Sequence, residues 1–187
     1  GGIANVTYLP ENAGALMVTA FDTGPGNMLI DGAMTILTSG QLAFDKDGLW
    51  ASRGRVNPSM LTELMSHPFI HLDPPKTTGR EDFGLQFCRP LVEKWRNKLS
   101  DYDVITTLTA FPAESISFAY RRFLGKIDEV ILGGGGSRNP VLVEMIRERL
   151  PGIRVLRHED LGISSDAKEA IAFAILASEA MCGNATN

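Results

Sequence analysis

An α/β fold is what this sequence predicts, and three observations predict it. The second half alternates short apolar runs with helical stretches: 129–132, 140–150, 154–156 and a last helix from about 166 to 181. Strand, helix and strand in that order favour parallel pairing. Glycine-rich turns follow apolar runs twice, at Asp22-Thr23-Gly24-Pro25-Gly26-Asn27 and at Gly133-Gly134-Gly135-Gly136. With 187 residues, 44% of them hydrophobic, the chain is long enough for one domain with a real core.

Residues 6–9 and 16–21 are expected as two strands joined by the turn-forming Pro10-Glu11-Asn12-Ala13-Gly14. A helix over 28–37 follows, its apolar residues at helical spacing. Residues 44–50 suggest a small hairpin turned at Asp47-Gly48. Asn57-Pro58 caps and starts a short helix that Pro68 must stop. Thr78 and Glu81 have capping-box spacing and open a helix towards Leu99. A long helix runs from Tyr102 or Thr106 to Leu124 and ends at Gly125, with Pro112 expected to interrupt or kink it. The strands, helices and glycine run of the second half complete the order.

The net charge of −4 and the lack of a basic stripe argue against a nucleic-acid or membrane-surface partner, though not against a nucleotide. Cys88 and Cys182 lie far apart and form no paired motif, as expected for a reducing, cytoplasmic setting. No secretory leader is visible, and the longest apolar run, 170–177, is too short to span a bilayer. A chain that opens at Gly1, inside an apparent strand, suggests that something preceded it.

Four segments have the residues for chemistry. In the first, Gly24 and Gly26 let the backbone turn sharply beside a ligand. Amides of that turn and of the helix start behind it suit phosphate oxygens. Asp22, at the strand end, is placed to take a proton or hold a metal. A tight turn capped by Asp22 accounts for the same residues. In the second, the glycines before Ser137-Arg138-Asn139-Pro140 let a flat ligand approach the backbone. Arg138 stands where a dinucleotide fingerprint needs a third glycine, so an adenine-nucleotide site without that fingerprint is the better match. Asn139 capping a helix that starts at Pro140 explains part of it. In the third, Asp73-Pro74-Pro75-Lys76-Thr77-Thr78-Gly79-Arg80-Glu81 could meet an anionic sugar or phosphate, yet a capping box at Thr78 and Glu81, with Lys76 and Arg80 simply solvated, is the favoured explanation. In the fourth, Glu169 could bind Mg²⁺ from the first turn of the last helix, or cap that helix together with Asp166.

Phe21 to Asn27, preceded by Gly1-Gly2-Ile3-Ala4-Asn5-Val6 and followed by Pro74-Pro75-Lys76-Thr77-Thr78-Gly79-Arg80-Glu81, resembles the anhydro-N-acetylmuramic acid kinase family. The glycine run with Asn139-Pro140 and the 166–173 stretch match in the same order, and levoglucosan kinases are similar over these segments. The resemblance implies that residues 1–187 are the C-terminal lobe of a two-lobed sugar kinase. That lobe would be of ribonuclease H type, as in actin, hexokinase and the heat-shock chaperones, with ATP and Mg²⁺ in the interlobe cleft. It implies a water attacking the anomeric carbon, with Asp22 as the catalytic base, and phosphorylation of the freed O6. Thr23, Gly24, Gly26 and Asn27 would then line the phosphates, Gly134, Gly135, Gly136 and Asn139 the adenosine, Asn5 the sugar, and Glu169 the metal. A homodimer is compatible with it. The family's Gly-Thr-Ser-x-Asp-Gly phosphate loop, which belongs to the N-terminal lobe, has no match in this chain.

Overall fold

The computed structural model describes residues 1–12, 14, 17–165 and 167–185. The expected first hairpin is present. Strand β1 (Ile3–Tyr8) pairs antiparallel with β2 (Thr19–Pro25), with Asn5 opposite Asp22 and an irregularity in register between Ala4 and Asn5. Part of the expected second strand, at Leu16, lies outside the described residues. At its other end β2 runs further than predicted, so Asp22 to Pro25 are strand rather than loop. Helix α1 (Met28–Leu37) has the predicted bounds and buries Leu29, Ile30, Ala33 and Met34, a single face at helical spacing.

The hairpin expected at 44–50 does not form. Asp47 and Gly48 take the positive φ angles such a turn needs (54° and 68°), but a 3₁₀ turn (Lys46–Gly48) replaces the flanking strands. The Asp45 carboxylate is what decides this. It accepts the amides of Trp50 (2.8 Å) and Ala51 (2.9 Å), curling the chain back on itself.

Asn57 caps α2 (Pro58–Met65) by accepting the Met60 amide, and Pro68 then opens the one-turn α3 (Pro68–His71). The predicted helix towards Leu99 is two helices, α4 (Arg80–Phe83) and α5 (Leu85–Arg96), split at Gly84, whose backbone is extended. The capping box at Thr78 and Glu81 is not made. Gly79 is the N-cap, and the Thr78 hydroxyl donates to Asp82 Oδ2 at 2.6 Å.

Helix α6 (Asp101–Phe123) organises the fold. Ser100 caps it, and Pro112 sits within it without interrupting it. One stretch of α6 packs with α1, α2 and α5 (Val104, Ile105, Leu108, Phe111), a second on the C-terminal sheet (Ala113), a third on the first hairpin (Ala119). The buried Thr106, Thr107 and Thr109 are tolerated because each hydroxyl donates to the carbonyl four residues back.

Strand β3 (Glu129–Leu132), helix α7 (Pro140–Arg149) and strand β4 (Arg154–Arg157) form the predicted parallel unit. Among the described residues the strands make two separate pairs, β1 with β2 and β3 with β4. β1 faces β3 across a cleft of about 440 Å³, bridged where the Tyr8 phenol donates to the Lys126 carbonyl at 3.0 Å. The last helix, α8 (Lys168–Met181), buries none of its residues and leaves Ile171, Phe173, Ile175 and Leu176 exposed. Asp166, expected to cap it, lies outside the described residues. Among the described residues no helix is long and apolar enough to cross a membrane.

Candidate functional site

The antiparallel register places Asn5 directly across from Asp22, because the irregularity after Ala4 shifts the pairing by one residue. Both residues line one open cleft of about 410 Å³, together with Pro75, Lys76 and Thr77. The backbone of the third sequence segment holds Asp22 there. The Asp22 amide donates to the Lys76 carbonyl (3.0 Å), and the Thr78 amide donates to Asp22 Oδ2 (2.9 Å). Asp22 is half-buried, and among the described residues its Oδ1 takes no hydrogen bond. A carboxylate fixed through one oxygen and open at the other is suited to accept a proton.

Behind Asp22 the motif turns inward. Thr23 is 1% exposed, and its hydroxyl donates to the Ala4 carbonyl at 3.1 Å. Gly24 has φ 144°, and a side chain there would meet Ile70 and Ser115 at 3.1 Å. A side chain at Gly26 would run into the Gly1 carbonyl. The amides expected to cradle phosphate are also engaged: Gly26 and Met28 donate to the Gly2 carbonyl (2.8 and 3.1 Å) and Asn27 to the Gly1 carbonyl (3.0 Å). The next amides, of Leu29 and Ile30, have no intrahelical partner by helix geometry, and both residues are buried.

The two glycine motifs do come together. The Asn27 carboxamide lies so close to the glycine run that a side chain at Gly135 would sit 3.2 Å from Nδ2, and one at Gly136 2.9 Å from Oδ1. Asn27, Gly135 and Asn139 line a second cleft, of about 570 Å³, with Asp31, Phe44 and Lys46. Gly134 has φ 81° and lies against Gly1. Asn139 is 9% exposed, and its Oδ1 accepts the Val141 and Leu142 amides of α7, so only its amide nitrogen is left for a ligand. His158 is half-buried and closes over Gly133. Desolvation pushes the Asp31 carboxyl up to about 6, against the opposing pull of the Gly1 ammonium.

The family model for anhydro-N-acetylmuramic acid kinase matches residues 1–186. The chain belongs to that family. Curated relatives of that name include one from Caldanaerobacter subterraneus subsp. tengcongensis, 50% identical over 191 residues that cover all of this chain and 48% of the relative. Others are from Bacillus cereus strain AH820 and Bacillus anthracis, each 49% identical over 192 residues covering all of this chain and 50% of the relative. The chain spans about half the length of these anhydro-N-acetylmuramic acid kinases.

Two features of this family member's site escaped the sequence. Lys76 and Thr78 hold Asp22 through backbone groups, which no side-chain pattern reveals; the rigid Pro74-Pro75 was the available signal. Asp31 joins the second cleft because it follows Asn27 by one helical turn. Glu169 lines neither cleft and is exposed on α8.

Proposed function

We propose that this chain is the C-terminal lobe of a two-lobed, ATP-dependent anhydro-sugar kinase, with Asp22 as its general base. The observation that carries the proposal is the cross-strand pairing of Asn5 with Asp22 in one open cleft, with Asp22 held by Thr78 through a single carboxylate oxygen. The curated relatives bear the name of the anhydro-N-acetylmuramic acid kinase, and 1,6-anhydro-N-acetylmuramic acid is therefore the substrate put first, ahead of levoglucosan. In the proposed reaction water forms a bond to the anomeric carbon as its proton passes to Asp22. The bond from that carbon to O6 breaks, and O6 takes the γ-phosphoryl group of ATP, releasing ADP. Asn5 orients the sugar beside Asp22, and the cleft at Asn27, Gly135 and Asn139 takes the nucleotide.

A ribonuclease H-type lobe is part of the same proposal. Gly134 lies by Gly1 and Lys126 by Tyr8, so β1 and β3 run in opposite directions across their cleft. One further strand there, antiparallel to β1 and parallel to β3, would join the two pairs into a single sheet. The described residues do not fit a Mg²⁺ site on their own: no three acidic, histidine or cysteine side chains converge among them. Kinases commonly hold Mg²⁺ by one or two carboxylates plus substrate phosphates.

Asp22→Asn in the two-lobed enzyme tests the proposal. The asparagine oxygen still accepts the Thr78 amide, so the stability cost is on the order of 1 kcal/mol. Turnover should fall on the order of 10²–10⁴-fold, since the amide takes no proton from water. A variant that melts early but turns over normally while folded would make Asp22 a structural cap.

A further inference from the structure

Lys76 is a buried cation outside the chemistry assigned above. It is 8% exposed, and its ammonium donates to the carbonyls of Phe69 (3.2 Å) and Ile70 (3.0 Å). The same nitrogen lies 4.9 Å from the ring centroids of both Phe69 and Phe123. Burial lowers its pKa from the ordinary lysine value, with Asp73 opposing. A lysine is costly to desolvate, and solvated lysines are the rule. This one is compensated by a socket of two carbonyls and two aromatic faces, which links α3 to the end of α6.

The socket lies directly under the residues that grip Asp22. The Lys76 carbonyl receives the Asp22 amide, and two residues on the Thr78 amide reaches Asp22 Oδ2. The far side of the loop is pinned separately, by the Thr78 hydroxyl on Asp82. Lys76 therefore ties the near side of the loop to α3 and to the end of α6.

We infer that Lys76 is a positioning residue: its seated ammonium fixes the loop that orients the Asp22 carboxylate. This rests on Asp22 as the base, so the first readout is independent of catalysis. In the 187-residue chain, Lys76→Met keeps the length of the stem and removes the donors and the charge. Amide exchange at Asp22 and Thr78 should speed up on the order of tenfold or more relative to Leu108 in α6, as expected for losing hydrogen bonds from a charged donor. Lys76→Arg, which keeps charge and donors, should restore most of the protection. Should Lys76→Met fail to fold, Lys76→Gln, with one donor group left, should show the same selective loosening in smaller measure.

In the two-lobed enzyme Lys76→Met should lower kcat on the order of tenfold to a hundredfold, as misplacement of a catalytic group does, with KM for ATP holding. Unchanged exchange at Thr78, or loosening equal at Thr78 and Leu108, overturns the inference. So does a raised KM for sugar with kcat intact, which would make Lys76 a substrate contact. Normal turnover by Asp22→Asn would instead refute the base assignment and leave the exchange results standing.

Discussion

Replacing Gly26 with alanine isolates the hydrogen bonds that tie the start of the chain to the turn after β2. The added methyl would run into the Gly1 carbonyl and lie 3.3 Å from both the Ala4 nitrogen and the Ile3 carbonyl carbon. All three are backbone atoms, so none can swing away as a side-chain end could. Gly26 does not have a positive φ, so the cost is contact rather than conformation. Relief comes when the Gly1-Gly2 segment peels off, and with it go the bonds from Gly26, Asn27 and Met28 at 2.8, 3.0 and 3.1 Å. The released amides meet water, so each bond counts at its net value and the loss is about 2–4 kcal/mol. Urea unfolding of the 187-residue chain measures it, and amide exchange at residues 26–28 locates it. Gly14→Ala, where a methyl meets nothing within 4 Å, is the control and should stay within about 0.5 kcal/mol of the parent. A Gly26→Ala protein as stable as the control, with its turn amides still protected, would refute the reasoning.

Asp31 gives a pH dependence. Its carboxyl titrates at about 6 in the fold, above its ordinary value, so the folded state holds that proton more tightly than the unfolded chain. The stability it contributes is present at low pH and lost as pH rises through about 6; Asp31→Asn should remove that fall, and Tm curves for both proteins that run parallel from pH 4.5 to 7.5 would disprove it. Asn139→Ala removes the cap of α7 and should cost about 1–2 kcal/mol in chemical denaturation, while no change would mean that Pro140 starts the helix unaided. Gly135→Val places a branched side chain against Asn27 in the second cleft and, on the proposed function, should raise KM for ATP in the proposed two-lobed enzyme well above any change in KM for sugar; equal effects would make the glycine a packing requirement.

Local signals were legible wherever local interactions decide the outcome. α1 and β3 have their predicted bounds because apolar spacing is enough to define them, and Asn57 and Asn139 cap the helices that their proline neighbours start. The failures are places where a distant partner wins. Thr78 and Glu81 have capping-box spacing, but Asp22 draws the Thr78 amide and Asp82 draws its hydroxyl, leaving Gly79 to begin α4. Asp47-Gly48 has the torsions of a hairpin turn, but Asp45 reaches forward to cap Trp50 and Ala51. The glycines of the first motif show a different limit. Flexibility beside a ligand and close packing both require glycine, and only the structure shows Gly24 against Ser115 and Gly26 against Gly1.

The two candidate clefts lie at either end of one short segment, and that constrains the proposed reaction. Asp22 and Asn5 line the first, Asn27 and Gly135 the second, and Thr23, Gly24, Pro25 and Gly26 between them are all buried. At roughly 3.3 Å per extended residue, the five steps from Asp22 to Asn27 span at most about 17 Å. A nucleotide seated at Asn27 would reach a sugar at Asp22 only by laying its phosphates along this backbone. The segment brings no free side chain to meet them: Thr23 is bonded to Ala4, and Gly24 and Gly26 have none. Its last amides are already paired with Gly1 and Gly2. On the proposed function, most of the donors that neutralise the transferring phosphoryl group must therefore come from the half of the longer relatives that this chain does not span. This lobe would supply the base, the sugar contact and the floor of the nucleotide cleft.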